Sequence, residues 1–243
     1  MHISIAAEPI FYLWSIFPVT NSVIYTLIVG LVLLGLGLMV SIGIKFIPGS
    51  LQSIFEFMIE TFYDLVESIT KSHAREFFPL IMTIFIFVLI SNWAGLLPGL
   101  NGLGLSTDVH GEEVITPVLR SPTADLNTTF ALALIAVLAT QYYGLKFLGL
   151  KVQLSKYINL KSPVAFFVGI LELISEFSRI MSFSFRLFGN IFAGEVLLVV
   201  IGMLVPLLLP VPFLALEVFV GLIQAVVFAI LTAVLLGIAV AHK

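Results

Sequence analysis

From Pro163 to Val205 the chain runs for roughly 43 residues, nearly all apolar, with no helix breaker except glycine. At 1.5 Å per residue a helix of that length measures about 64 Å, against a hydrocarbon core of about 30 Å. Ordinary tilt does not absorb a twofold excess. The segment is expected either to lie steeply oblique across a membrane or to bend into an interfacial part and a spanning part.

The rest of the chain has the same character. Of its 243 residues, 60% are hydrophobic and only 10% charged, where a soluble domain carries about 25% charged residues. The mean hydropathy is +1.18. Four more apolar stretches are long enough to span: Val23 to Ile44, Leu80 to Leu97, Leu126 to Tyr143 and Phe213 to Ala241. The last is also over-long, and "PLLLPVPF" from Pro206 to Phe213 joins it to its predecessor as a hairpin. No soluble insertion separates the stretches, so residues 1–243 read as a single membrane domain. "MHISIAAEPIFYLW" lacks the basic start and small-residue cleavage site of a signal peptide.

Between the first two spans, Leu51, Phe55, Met58, Phe62, Leu65 and Ile69 recur at helical spacing, with Ser53, Glu56, Glu60, Asp64 and Glu67 opposite them. Four carboxylates are too many for a span, so this helix is expected at the membrane interface. The predicted fold class is all-α integral membrane. It has five transmembrane helices and one interfacial amphipathic helix, the last two spans being long, steeply tilted and paired as a hairpin.

Basic residues set the orientation. Lys45, Lys71 and Arg75 lie in the first long connection, Lys146, Lys151, Lys156 and Lys161 in the connection after the third span, and Lys243 at the end. The connection from Leu97 to Asp125 has one base, Arg120, against Asp108, Glu112, Glu113 and Asp125. Five spans with the N-terminus outside place every lysine inside.

Several chemistries are excluded or weakened. There are no cysteines, which removes disulfides and thiolate metal sites. The four histidines, His2, His73, His110 and His242, are scattered, and a metal site needs clustered ligands. No metal or cofactor is expected. No basic patch suggests nucleic acid. The Gly-rich "LLPGLNGLGLSTDVHGEE" lacks the spacing of a phosphate-binding loop, and the sequon "NTT" at Asn127 abuts a span. No internal repeat is visible, which weakens an inverted-repeat transporter.

The fourth segment carries Glu172, Glu176, Arg179, Arg186 and Glu195, and the fifth carries Glu217. Each such charge at mid-membrane costs at least about 2.5–3.5 kcal/mol. Glu172 and Glu176 lie one or two turns from Arg179, so internal ion pairing is one of two open accounts of that group, a functional role being the other. Arg186 has no acid so near in sequence and cannot shed its proton. It needs a carboxylate from elsewhere in this chain or in a partner. By depth, Glu195 and Glu217 form an outer cluster. Arg186 and Gln224 form a central pair with Asn190 one turn outward. Glu172 and Ser175 form an inner cluster.

"RLFGNIFAGE" from Arg186 to Glu195, "SPTADLNTTFALAL" from Ser121, "SNWAGLLPG" from Ser91 and "LIQAVVFAILT" from Leu222 resemble, in order, motifs of the stator a subunit family of rotary F-type ATP synthases. The likeness covers nearly the whole chain. It implies a bacterial plasma (inner) membrane protein with its N-terminus outside and its C-terminus cytoplasmic. It also implies no catalytic site of its own and two offset half-channels carrying protons or sodium ions. The implied partners are a c-subunit ring, b-type peripheral stalk subunits, the rest of the synthase and the lipid bilayer. On that template Arg186 is the essential ring-facing arginine and Gln224 supports it. Asn190, Glu195 and Glu217 line the outer half-channel, and Glu172 and Ser175 the inner one. Some relatives carry histidine where Glu217 stands, and two acids here would titrate as a coupled pair. An ion-coupled secondary transporter and a scaffold without transport stay open as alternatives. A transporter binds solute when reconstituted alone, and a scaffold tolerates neutralisation of Arg186.

Overall fold

A computed structural model describes residues 9–13, 17–43, 49–97, 104–109, 112–117, 120–157, 162–205 and 210–241. Lys45, Pro48, Lys161, Lys243, His2, His110 and His242 lie outside the described residues, as do residues 206–209 of the expected turn. The helices are α1 (Asn21–Gly43), α2 (Ser50–Thr70), α3 (Ala74–Ala94), α4 (Leu126–Leu148), α5 (Leu150–Tyr157), α6 (Pro163–Leu204) and α7 (Pro210–Ala241). Among the described residues, five stretches are long and apolar enough to cross a membrane: Asn21–Val40, Gln52–Ala94, Leu126–Leu148, Pro163–Leu204 and Pro210–Val240. The second of these includes both α2 and α3. A bilayer offers backbone groups no water, so spanning segments close their hydrogen bonds within a helix.

The long fourth segment is one continuous helix of 42 residues. Three further features were not expected. Two antiparallel hairpins lie outside the helices: β1 (Pro9–Leu13) with β2 (Phe17–Thr20) before α1, and β3 (Gly104–Val109) with β4 (Glu112–Pro117) between α3 and α4. The strands are four to six residues long, so the class stays all-α. In β3 and β4 the pairing runs from Gly104↔Pro117 to Val109↔Glu112. Finally, α5 stands as a separate short helix. Gly149, at φ 80, ends α4 in a left-handed conformation that glycine adopts without a Cβ clash.

The chain packs as two units. One comprises Met1–Phe46, Ile86–Thr129 and Arg186–Val226; the other comprises Ile47–Phe85, Phe130–Phe185 and Val227–Lys243. In the first, Asp125 caps α4: its Oδ1 accepts from Asn127 N at 3.1 Å and its carbonyl from Thr129 N at 3.1 Å. Ser22 Oγ of α1 donates to Asp125 Oδ2 at 2.7 Å, and Tyr25 Oη donates to the Ala94 carbonyl at 2.8 Å. Apolar helices gain little from leaving lipid for one another, so hydrogen bonds and close packing carry much of their association.

In the second unit, Phe62 of α2 stacks on Phe85 of α3 with centroids 4.4 Å apart. Leu51 lies outside the residues whose side chains are described; among the others of α2, Phe62, Val66 and Thr70 are buried, while Ile54, Phe57 and Leu65 stay exposed. The buried stripe therefore follows i, i+4 through Val66 rather than the expected Leu65, and the front half of α2 leaves apolar surface uncovered. Phe77 is fully buried, edge-on to Tyr143 and Phe147. Beside them Lys146 pairs with Glu76 at 2.7 Å. Helix α5 docks on α4 through buried Gln153, whose Nε2 donates to Gln141 Oε1 at 2.7 Å. It meets α6 at Gly169, where a Cβ would run into the Tyr157 carbonyl.

That contact is backbone against backbone, so neither side yields easily. Gly169→Ala is expected to destabilise the protein by about 1–3 kcal/mol. Gly202→Ala, where a Cβ meets nothing within 4 Å, is expected to be neutral or slightly stabilising because alanine is the better helix former. Protease resistance in native membranes across a temperature series compares the two.

Candidate functional site

Arg186, Asn190 and Glu195 share α6, and Glu217 and Gln224 share α7. All five belong to the first unit. Asn190 Nδ2 donates to Gln224 Oε1 at 2.7 Å. Gln224 is buried, and its Nε2 has no hydrogen-bond partner. The structure thus joins two of the three expected central residues, Asn190 and Gln224. Arg186 is exposed and takes part in an interaction within the chain.

The outer acids also come together. Glu217 is only 6% exposed although it is a carboxylate on a very apolar helix. It fits because residue 194 is glycine: a Cβ on Gly194 would overlap the Glu217 carboxyl group. Glu195, the next residue of α6, points toward the turn after α3. A Cβ on Gly95 there would lie 3.6 Å from Glu195 Oε1 and 2.6 Å from the Ser121 Cβ. The charges that act on the Glu195 carboxylate are those of Arg120 and Glu217. Arg120 also stacks over Phe192, one turn before Glu195, at 5.9 Å from the ring centroid.

Sequence reasoning missed Arg120 and Asn92 as parts of this group. Arg120 was legible as the one base in an acidic connection. Asn92 lay in a motif but had no stated job. Asn92 Nδ2 donates to the Gly221 carbonyl of α7 at 2.9 Å, one turn beyond Glu217, and its buried Oδ1 has no partner. Trp93 Nε1 donates to the Val218 carbonyl at 3.0 Å. Ser121 Oγ donates to the Ser91 carbonyl at 3.1 Å. Buried amides and hydroxyls are thus gathered around the two acids.

The inner residues belong to the second unit. Arg179 pairs with Glu176 at 2.9 Å and with Glu172 at 3.5 Å, as their spacing on one helix predicts. Glu172, Glu176 and Arg179 line a cavity of about 490 Å³, with Thr140, Gln141 and Tyr157 among the other walls. Ser175 is half-buried and does not line it, so the structure does not join it to Glu172. Among the described residues no three His, Cys, Asp or Glu side chains converge as a metal site.

Five apolar stretches fit to span, with an arginine, carboxylates and amides carried on the last two, define a multi-pass membrane protein that keeps ionisable groups within its spans. The family model described as ATP synthase A chain matches residues 23–237, and the chain belongs to that family. It is 37% identical over 225 residues to the ATP synthase subunit a of Syntrophobacter fumaroxidans, covering 90% of this chain and 84% of that one. It is 40% identical over 235 residues to that of Gloeobacter violaceus, covering 93% and 87%. To that of Moorella thermoacetica it is 34% identical over 223 residues, covering 92% and 91%.

The Asn190–Gln224 bond links two helices by side chains alone. A double-mutant cycle with Asn190→Ala and Gln224→Ala is expected to give a coupling energy of about 0.6–1.7 kcal/mol. Thermal stability of the four proteins in detergent measures it, and strictly additive losses would show that the bond contributes nothing.

Proposed function

We propose that this chain is the stator a subunit of a rotary F-type ATP synthase, acting as one membrane domain beside a ring of c subunits. It has no catalytic site of its own. It forms two offset half-channels that carry protons or sodium ions to and from the ring carboxylates, and so couples ion flow to rotation and ATP synthesis. Peripheral stalk subunits of the b type hold it against the ring. The N-terminus faces outside and the C-terminus the cytoplasm of a bacterial plasma membrane.

One observation carries this reading. Along α6 a permanent cation, Arg186, has an acid before it at Glu172 and another after it at Glu195, while α7 brings Glu217 against Gly194 and Gln224 to Asn190. Glu195, Glu217 and Asn190 are assigned to the outer path, Gln224 to the support of Arg186, and Glu172 and Ser175 to the inner path. The observed cavity beside Glu172 supports its assignment; Ser175 stands on the resemblance alone.

The physics of the arginine gives the mechanism. A guanidinium near a passing ring carboxylate favours its ionised form. To leave the arginine for lipid the carboxylate must first be neutralised by taking up an ion. A fixed cation also opposes direct ion flow between the half-channels, so ions cross only by way of the ring.

Leaving a charged carboxylate in hydrocarbon costs about 2.5–3.5 kcal/mol, a factor of roughly one hundred in rate. Arg186→Ala is accordingly expected to abolish coupled ATP synthesis while the protein stays in the membrane and passive ion leak persists or rises. Arg186→Lys is expected to be badly impaired too, because a lysine held at membrane depth can lose its proton. ATP synthesis and passive proton permeability in vesicles with equal assembled complex measure both; normal synthesis in Arg186→Ala would sink the mechanism.

Replacing both Glu195 and Glu217 with Leu is expected to slow ion-driven synthesis in an assembled complex. Glu172→Leu should impede the inner side to a smaller degree, since water in the cavity can substitute. Copurification of ring and stalk subunits with the chain tests the partners.

A further inference from the structure

Arg179 stands between two carboxylates of its own helix, and the two contacts are not equivalent. Its Nη1 donates to Glu176 Oε1 at 2.9 Å, within the range of a strong charge-assisted bond. Its Nη2 lies 3.5 Å from Glu172 Oε1, beyond good hydrogen-bond length. The Glu176 side chain is 16% exposed and that of Glu172 is 40% exposed. Tyr157 Oη of α5 adds a second, long and weak donor contact to the same Glu176 oxygen at 3.4 Å.

That phenol is a fixed donor. Burial, and then the negative charge of Glu176, push the Tyr157 hydroxyl up to about 12, so it keeps its proton at any cellular pH. Its position is fixed as well, by the close approach of its carbonyl to Gly169 and by the Gln153–Gln141 bond one turn earlier. Of the other elements around the cavity, α5 contributes the cation Lys156, α4 the neutral Thr140 and Gln141, and α7 only Leu235, Ile238 and Ala239. Arg179 is the cation in contact with Glu172, and Lys156 is the other cation of the cavity.

We propose that Glu176 is a positioning residue of the inner ion route: with Tyr157 it holds Arg179 away from Glu172, leaving the Glu172 carboxylate facing the cavity without a full counter-charge. This rests on the assignment of Glu172 to the inner route. Without the Glu176 carboxylate, Arg179 closes on Glu172 and removes it from exchange.

The test is passive proton conduction in vesicles carrying equal amounts of assembled complex, compared for the parent, Glu172→Gln, Glu176→Gln, Glu176→Asp and Glu176→Gln combined with Arg179→Gln. Glu172→Gln is expected to slow conduction. Glu176→Gln should slow it by at least about tenfold, the equivalent of one charge-assisted hydrogen bond gained by Glu172. Glu176→Asp should stay close to the parent, and the double variant should recover most of the lost rate because no arginine is left to close on Glu172.

Parent-rate conduction in Glu176→Gln beside a slow Glu172→Gln would overturn the positioning role and leave the inner route standing. A double variant as slow as Glu176→Gln would also overturn it, since Glu176 would then act in the path itself. Parent-rate conduction in Glu172→Gln would instead remove the inner-route assignment on which the proposal rests. If Glu176→Gln lowers assembly, Tyr157→Phe makes the same comparison with only a hydroxyl removed: slowing that Arg179→Gln relieves supports the proposal, and parent-rate conduction overturns it.

Discussion

A polar group carried on an apolar span is stabilised by a protein partner, because hydrocarbon offers none. Much of the arrangement follows from that. Asp125, at the start of α4, spends one carboxylate oxygen on its own helix and the other on Ser22 of α1. Asn92 and Trp93 of α3 reach backbone carbonyls of α7. Asn190 donates to the Gln224 side-chain carbonyl oxygen across α6 and α7. Arg179 answers two acids on its own helix. These bonds do for a membrane bundle much of what burial of apolar area does for a soluble one, since lipid tails solvate leucine as well as a neighbouring helix would.

Glycine sets where those bonds can form. Gly194 makes room for the Glu217 carboxyl, Gly144 for the Gln153 amide at 3.0 Å from a notional Cβ, and Gly169 for the Tyr157 carbonyl. By contrast Gly30, Gly35 and Gly37 of α1 face open space, and α1 is among the most exposed of the helices. Glycine in this chain is thus of two kinds, and only the first kind positions a polar group.

The helices were legible because their signal is thermodynamic and local: length and apolarity give α1, α3, α4, α6 and α7 without reference to any neighbour. The Glu172–Glu176–Arg179 group was legible for the same reason, since i, i+3 and i, i+7 spacing on one helix brings side chains together wherever the helix lies. Legibility fell where partners are distant in sequence. The Asn190–Gln224 bond depends on how α6 and α7 are rotated about their axes, and the docking of α5 depends on Gly144 and Gly169 from two other helices. Helix α5 itself was hidden because its eight residues are too polar and too short to register against spans of more than 20. The stripe of α2 was misjudged by one residue, Val66 for Leu65. A helical period admits either phase until a partner such as Phe85 chooses one.

The fit of Gly194 to Glu217 has a bearing on how such a sequence changes over generations. A methyl group at 194 would overlap the Glu217 carboxyl as long as a side chain of that length and direction stands at 217. The acid, for its part, is accommodated only while 194 stays bare. Position 194 cannot drift alone: 217 must be exchanged for something smaller or differently directed before 194 can accept any side chain. The two are ordered in time, and the order runs one way, with 217 moving first.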